Sequence, residues 1–381
     1  MRRWLLPGAG LLVAAALVFA VAAVFDNQPP ELWVELDSRV PAGDTFELFV
    51  SANEPVTYEL TYGELETEHV AQDLAVSLIG IPGVQELHIR AVDGSGNETT
   101  SQHAVEGVPA IAPVLSGPST AQAGDPVTFT IEWEDTGLQI VGGSLALVNE
   151  SGTEAPASVV TGDSELLILA AIPLDVSDGI WSVQGQLIDE FDRPFDLLAQ
   201  LQVSRWAEPV EDLNIAPSTL AVVTDDNREF ERQMLERAYS ESVPEQLWAR
   251  PFLLPIEGRS TSGFGAPRRY APGGPVSFHQ GSDIGMPTGT PVYATNEGRV
   301  LLADFYPIKG GFVFIDHGMG VSSHYFHLSE VSVEEGEYVD VGDVIGLVGS
   351  TGLSTGPHLH WEMRVNGEAT NPMAWVDRVL P

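Results

Sequence analysis

The sequence predicts a mainly β protein with several domains, and three observations support this fold class. The chain has 381 residues, which exceeds the usual size of one domain and leads us to expect two or three. Short runs that alternate apolar and polar residues, such as 32–36 and 46–50, are typical of half-buried antiparallel strands. The 38 glycines and 27 prolines favour turns between such strands. We expect two tandem β-sandwich modules, a short helical connector and a C-terminal antiparallel β-sheet domain, after one N-terminal hydrophobic helix.

The first element, residues 1–25, favours a helix that crosses a membrane. Arg2 and Arg3 precede an uncharged run, and a helix over 4–25 would extend roughly 33 Å at about 1.5 Å per residue, enough to span a bilayer core. The arginines would stay on the cytoplasmic side of the cytoplasmic membrane. The segment Ala-Val-Ala at 20–22 also fits a cleavage site, so a signal peptide is the alternative to a signal anchor. Both place the remaining chain in the cell envelope, outside the cytoplasmic membrane, single-pass anchored or secreted.

Two short motifs then occur twice, which predicts a repeated module. Ala-Gly-Asp at 42–44 returns at 123–125, each time before an alternating strand. A glycine followed at a fixed offset by an aspartate also returns: Gly83 with Asp93, and Gly179 with Asp189. We interpret residues 30–107 and 108–205 as two β-sandwich modules that resemble bacterial immunoglobulin-like domains. They serve either as a spacer or in recognition of a specific ligand.

Residues 206–249 form the predicted connector. The stretch 225–239 is rich in helix formers, opens with acids and carries mixed charges three and four residues apart, which predicts one surface helix. Its packed face would hold Phe230, Met234 and Ala238. The C-terminal domain, 250–381, contains six of the nine histidines, and we therefore look for function there.

Charge and cysteine content exclude several classes of function. The chain has 54 acidic and 17 basic residues, for a net charge of −37, and no stripe of basic residues that could follow a phosphate backbone. We therefore expect no nucleic acid partner. Cysteine is absent, which excludes disulfides, thiolate ligands and a cysteine nucleophile. Any metal site must be built from His, Asp and Glu.

The segment His358-Leu359-His360 carries the first candidate ligands. It continues into an alternating strand, and residues two apart on a strand point to the same face, so both imidazoles would reach one cavity. Leu359 and Trp361 would pack on the opposite side. A pair of ordinary half-buried histidines is the alternative.

His279 and Asp283 form a second candidate pair. Glycines and prolines around them favour a turn between strands over a helix. A turn can still hold one ion from its two ends, and a polar loop without a ligand is the alternative.

Two further histidines lie on a predicted strand, residues 321–328. Alternation puts His324 and His327 on opposite faces, so we expect only one of them to reach the cavity. His317 follows the apolar strand 312–315, and we expect it to have a structural role.

Several motifs in a fixed order carry a resemblance to a known family. The motifs are His279-x3-Asp283, Thr290-Pro291-Val292 with Gly298, Tyr325-x-His327-Leu328, Gly342-Asp343-x-Ile345-Gly346 and Gly356-Pro357-His358-Leu359-His360. Residues 250–378 thereby resemble the lysostaphin/LytM-type zinc metallopeptidases, enzymes that cut peptide bonds in bacterial peptidoglycan. Several motifs in the same order are more specific than any single one.

The resemblance implies a role for each of five residues. The zinc ligands of that family fall on His279, Asp283 and His360, and its two catalytic histidines fall on His327 and His358. It implies a Zn²⁺-dependent endopeptidase that hydrolyses peptidoglycan peptide through a metal-activated water, with the histidines as acid and base. Three protein ligands with one position left for water is also the general pattern of catalytic zinc.

Two residues depart from the family pattern, and two other functions are alternatives. Trp361 stands where the family usually has Phe, and Tyr270 is a weak match for a tyrosine that some members place before the first ligand. A non-catalytic, wall-binding regulator of other wall hydrolases is the alternative function, although such proteins typically lack one of the five positions. A carrier domain would need a lysine at the tip of hairpin 331–349, and Lys309 is the only lysine.

Overall fold

The computed structural model describes residues 27–162, 164–206, 209–213, 215–270 and 273–376. Strands hold 54% of the residues and helices 7%, so the prediction of a mainly β protein is confirmed. The predicted N-terminal helix lies outside the described residues, and among the described ones no helix is both long and apolar enough to cross a membrane. The described chain divides into two compact units. One holds the residues up to 112 with 134–141 and 188–193, and the other holds the rest.

The first unit contains six strands: β1 Leu32–Glu35, β2 Arg39–Pro41, β3 Thr45–Tyr62, β4 Leu65–Ile79, β5 Gly83–Val92 and β6 Glu98–Val108. They form one sheet in the order β1-β3-β5-β6-β2, with β4 paired to β3. Alternate residues of β3 are buried, including Leu48 and Tyr58, as the apolar periodicity predicts. The hydrogen bonds join all six strands in one sheet, and the β-sandwich expected for residues 30–107 stays a prediction. Strand β3 is long enough to pair with β1 at one end and β5 at the other, which keeps both in a single sheet.

The next nine strands form two sheets: β7 Val114–Ser116, β8 Thr120–Gln122, β9 Pro126–Glu132, β10 Ile140–Asn149, β11 Glu154–Ala155, β12 Ala157–Thr161, β13 Glu165–Ala171, β14 Gly179–Asp189 and β15 Pro194–Ser204. One sheet has the order β11-β10-β14-β15-β8 and the other β12-β13-β9-β7. Phe129 and Trp181 are buried in this region. Two sheets are what a β-sandwich requires, while the likeness to immunoglobulin domains and the domain boundaries stay predictions.

The C-terminal part holds two α-helices, one 3-10 helix and the remaining strands. They are β16 Glu211–Asp212, α1 Pro217–Leu220, α2 Asp225–Ser240, β17 Arg259–Ser262, β18 Pro267–Arg269, β19 Ser277–Phe278, β20 Ser282–Gly285, β21 Pro291–Tyr293, β22 Gly298–Tyr306, β23 Gly310–Gly318, β24 Val321–Leu328, β25 Glu330–Val331, β26 Tyr338–Val339, β27 Val344–Leu347, β28 Leu359–Val365, β29 Glu368–Thr370 and the 3-10 helix Pro372–Ala374.

An eight-stranded antiparallel sheet carries four of the histidines, His317, His324, His327 and His360. Its order is β17-β20-β28-β24-β23-β22-β26, with β29 paired to β28. One face packs into a core that includes Leu359 and Trp361, both fully buried as predicted. Every residue of β23 and β24 is buried, because the opposite face is covered as well. There Phe312, Phe314 and Phe326 pack with residues of helix α2.

Helix α2 begins where the sequence predicts. Its N-cap residue Thr224 accepts a hydrogen bond from the backbone N–H of Asn227, which satisfies a free donor of the first turn. Met234 and Ala238 are buried, as expected, but Phe230 is half exposed. Glu231 is buried instead, because its carboxylate accepts hydrogen bonds from the Lys309 ammonium and from the backbone N–H of Ile308. This ion pair fastens the connector helix to the turn between β22 and β23.

Candidate metal site and groove

The three predicted metal ligands converge at one point. Asp283 on β20 is the direct antiparallel partner of His360 on β28, and His279 lies in the loop just before β20. The Nε2 atom of His279 lies 3.0 Å from Nδ1 of His360 and 3.1 Å from Oδ1 of Asp283. The third side of this triangle, from His360 Nδ1 to Asp283 Oδ1, is 2.8 Å. In the part of the chain that the structure describes, no other group of three His, Asp or Glu side chains could hold a metal ion.

This triangle of two nitrogens and one oxygen fits a zinc ion. Tetrahedral zinc with bonds of about 2.0–2.1 Å separates its ligands by roughly 3.3 Å, a few tenths of an ångström more than the distances found here. The Nδ1–H of His279 donates to the carbonyl of Gly263 at 2.8 Å, which leaves Nε2 free to bind a metal. Two imidazoles and one carboxylate also leave a fourth position for water.

The electrostatics of the triangle centre on Asp283. Burial favours its neutral acid form, but the adjacent His279 and His360 rings outweigh burial and hold the pKa of this carboxyl well below its usual range. The second oxygen, Oδ2, lies 3.3 Å from the guanidinium of Arg268, which also donates to the hydroxyl of Ser262. Asp283 is therefore ionised and fixed at both of its oxygens.

The ring of His360 lies between two carboxylates. Its Nδ1 faces Asp283, and its Nε2 lies 3.0 Å from Oε1 of Glu362. Burial lowers the pKa of His360, but the two carboxylates raise it more strongly, to about 9. His279 behaves differently, because burial dominates there and lowers its pKa.

His358 and His327 face each other beside the triangle, with ring centroids 4.9 Å apart. The Nδ1–H of His358 donates to the carbonyl of Gly356 at 2.8 Å, and its Nε2 lies 3.7 Å from Oδ1 of Asp283. The Nδ1–H of His327 donates to the carbonyl of Thr351 at 2.9 Å. Burial, with the nearby positive charge of His360, lowers the pKa of His327 to about 3. His327 is therefore neutral near pH 7, and its Nε2 carries a lone pair.

The backbone of His327 explains a prediction that was wrong. We expected only one of His324 and His327 to reach the cavity, but both line it. His324 sits opposite Glu362 in the pairing of β24 with β28, on the face that also carries Phe326 and His360. Strict alternation would put His327 on the other face, but its φ of 61° lies in the left-handed region and breaks the period of two.

A cavity of about 750 Å³ surrounds the three candidate ligands and the two histidines His327 and His358. Tyr270, Arg268 and Arg364 are among its other lining residues, as are Leu213 and Ile215 of the connector. Strand β16 of the connector pairs in parallel with β18, the strand of Arg268. No sequence pattern predicts that the connector lines the cavity, and Arg268 belongs to none of the motifs. Glu362 could have been found, because it lies two residues after His360 on the same strand.

His317 has the structural role that its position predicts. It is fully buried, with Nδ1–H donating to the carbonyl of Glu297 at 2.6 Å and Nε2 lying 2.8 Å from the hydroxyl of Ser323. Burial lowers its pKa to about 4. It is held neutral in the core and takes no part in the cavity.

The described residues thus form an antiparallel sheet that brings a His/Asp/His triangle next to two further histidines. Residues 277–372 match Peptidase family M23. The C-terminal part of the chain therefore carries a family M23 domain of the LytM/lysostaphin type.

Several individual proteins are similar to parts of this chain. The chain is 37% identical over 139 residues to the peptidoglycan DD-endopeptidase ShyA of Vibrio cholerae, which covers 36% of this chain and 30% of that protein. It is 50% identical over 100 residues to the DD-carboxypeptidase/endopeptidase Mpg of Neisseria meningitidis, covering 26% of this chain and 22% of that protein. Among solved structures, the catalytic domain of lysostaphin from Staphylococcus simulans is 34% identical, with a TM-score of 0.28, and the match covers 30% of this chain and 90% of that one. The chain thus matches about a third or less of the length of these curated relatives.

Proposed function

We propose that this protein is a zinc-dependent endopeptidase that hydrolyses peptide bonds of cell-wall peptidoglycan. The observation that carries the proposal is that two histidines, His327 and His358, face each other beside a ligand triangle that fits zinc. The relatives named above as peptidoglycan endopeptidases support the substrate class. The predicted N-terminal segment supports action in the cell envelope.

His279, Asp283 and His360 would hold the zinc ion. Zinc in such a site supplies Lewis-acid polarisation of the scissile carbonyl and makes a water nucleophile accessible at neutral pH. The ionised Asp283 offsets part of the metal charge, and its bond to Arg268 fixes its orientation. Because only three side chains would bind the zinc ion, its fourth position would remain for water or substrate.

The two remaining histidines would move the protons. His327 donates its Nδ1–H to Thr351, so its Nε2 lone pair points away from that carbonyl and can accept the proton of the attacking water. His358 is oriented in the same way by Gly356, with its Nε2 3.7 Å from Asp283 and therefore close to the metal position. Once protonated, either ring can donate to the leaving amine and stabilise negative charge on the carbonyl oxygen. Because the sequence has no HExxH helix, histidine takes the role that glutamate has in thermolysin-type enzymes.

The test uses the full chain loaded with zinc and incubated with intact peptidoglycan sacculi, with released fragments identified by mass spectrometry. We expect peptide-bond cleavage by the wild type, a rate lower by about 10²–10⁴-fold for His327→Asn, and no cleavage by His360→Ala. Binding to sacculi without any released fragment would contradict the enzymatic proposal and favour a non-catalytic regulator.

A further inference from the structure

Strand β28 carries three polar residues in a row on the face of the metal site. His360, Glu362 and Arg364 are each two residues apart, so their side chains point to the same side of the sheet. Oε1 of Glu362 lies 3.0 Å from Nε2 of His360, and its Oε2 accepts a hydrogen bond of 2.7 Å from Nε of Arg364. Glu362 is only 4% exposed. An ionised carboxylate at such a depth persists only with partners of this kind.

Arg364 connects this strand to the loop of the other histidine ligand. Its Nη2 donates to the side-chain oxygen of Gln280 at 2.7 Å, and Gln280 directly follows His279. Its Nη1 donates to the carbonyl of Gly367 at 2.6 Å, in the turn between β28 and β29. One guanidinium therefore ties together the strand of His360, the loop of His279 and the end of the hairpin.

The contact with Glu362 fixes the orientation of the His360 ring. A carboxylate can only accept from the ring, so Nε2 donates to Glu362, and Nδ1, which lies beside Asp283, is the nitrogen left to bind a metal. Without that acceptor, the ring could rotate and turn Nδ1 away from Asp283, which would disrupt the ligand triangle. His279 donates to an uncharged backbone carbonyl, whereas His360 donates to the carboxylate of Glu362. The hydrogen bond of His360 is therefore the stronger of the two.

We propose that Glu362 is a positioning residue of the metal site, which orients His360 for zinc, and that Arg364 holds Glu362 and the His279 loop in register. The inference rests on the proposed function, because His360 needs a fixed ring orientation only if it binds a metal. The competing explanation is a buried ion pair that merely stabilises the hairpin of β28 and β29.

The test measures zinc affinity of the full-length protein by competition with a chromogenic chelator, at one pH, without substrate. We expect Glu362→Ala to weaken zinc binding about 10–100-fold. Glu362→Gln keeps an accepting oxygen but loses the charge, and we expect a smaller loss. As a matched control, Glu297→Gln removes a carboxylate of the same domain that pairs with Arg250 and touches no ligand, and it should bind zinc like the wild type.

A further variant separates positioning from folding. Glu362→Ala leaves Arg364 unpaired, whereas Glu362→Leu with Arg364→Met replaces the whole pair by apolar groups of similar volume, a change that folded proteins commonly tolerate. We expect the double variant to fold and to lose zinc affinity as Glu362→Ala does. Wild-type affinity in the double variant would overturn the proposal, since the loss in Glu362→Ala would then come from the unpaired arginine. Failure of the wild-type protein to bind zinc would instead overturn the proposed function itself.

Discussion

Oδ1 of Asp283 lies 2.8 Å from Nδ1 of His360 because the two residues are direct partners in the antiparallel pairing of β20 and β28. Two of the three candidate ligands are thus positioned by sheet hydrogen bonds, and only His279 depends on a loop. Sites on strands are held more precisely than sites on loops. Zinc binding should therefore require little rearrangement of the sheet.

The proposed roles predict that substitution of a metal ligand and substitution of a proton-transfer histidine have different effects on zinc content and on the rate of hydrolysis. We expect His360→Ala to lose both zinc and hydrolysis, because it removes one corner of the triangle. His327→Asn should keep its zinc and lose about 10²–10⁴-fold in rate, the usual contribution of a general base. Metal content by atomic emission and the initial rate of fragment release from sacculi measure both quantities. A His360→Ala protein that works at the wild-type rate would contradict the ligand assignment.

The left-handed backbone of His327 predicts a second effect, on stability. A β-branched residue at a φ of 61° is strained, whereas Asn adopts this region readily. We expect His327→Val to be less stable than His327→Asn by about 1–2 kcal/mol, although both should be inactive. Urea unfolding monitored by tryptophan fluorescence compares the two proteins. Equal stabilities would argue against a strained backbone at this position.

The buried His317 predicts a loss of stability in acid. Its pKa is about 4 in the folded protein and about 6.5 in the unfolded chain, so only the unfolded chain takes up a proton between these values. Above pH 6.5 the side chain is neutral in both the folded and the unfolded protein, so it causes no loss of stability. The free energy of unfolding then falls as the pH drops from 6.5 toward 4. Between pH 7 and 5 the loss from this group is about 2 kcal/mol.

Other buried histidines contribute in the same direction, so the measurement is a difference between two proteins. We expect the free energy of unfolding of His317→Asn, which cannot titrate, to depend less steeply on pH than that of the wild type. If the free energies of unfolding of the two proteins changed with pH in parallel, this would contradict the prediction, because His317 would then take up a proton equally well in the folded protein.

The ion pair between Glu231 and Lys309 predicts a strong coupling between the connector helix and the sheet. The Glu231 side chain is 3% exposed and the Lys309 side chain 14%, so removal of one partner leaves a largely buried charge. We expect Glu231→Ala to cost about 3–5 kcal/mol and the double change Glu231→Leu with Lys309→Met to restore most of it. Glu229→Ala, at an exposed position of the same helix, should change the free energy of unfolding by less than about 0.5 kcal/mol. A small effect of Glu231→Ala would mean that the helix is held by its apolar contacts alone.

The site could be predicted from the sequence where a strand is regular. The spacing of His358 and His360 places both rings in the cavity and packs Leu359 and Trp361 behind them, because side chains alternate on a strand. The same rule fails at His327, where one left-handed residue breaks the period.

Other parts of the structure arise from contacts between segments far apart in the chain. Arg268 reaches Asp283 only through the loops that join β18 to β20, and Leu213 reaches the cavity through the pairing of β16 with β18. No local pattern encodes such contacts. The single sheet of the first unit has a similar origin, since the length of β3 decides which strands it can join.

The packing of helix α2 bears on how this protein can be shortened. Met234 and Ala238 share a cluster with Phe312 and Phe326, and the ring of Phe326 lies 4.7 Å from that of His360. A truncated protein that begins at residue 250 would expose this aromatic surface to water directly behind a candidate ligand. A recombinant fragment intended for enzymology should therefore retain the helix, even though the helix lies before the segment that matches the peptidase family.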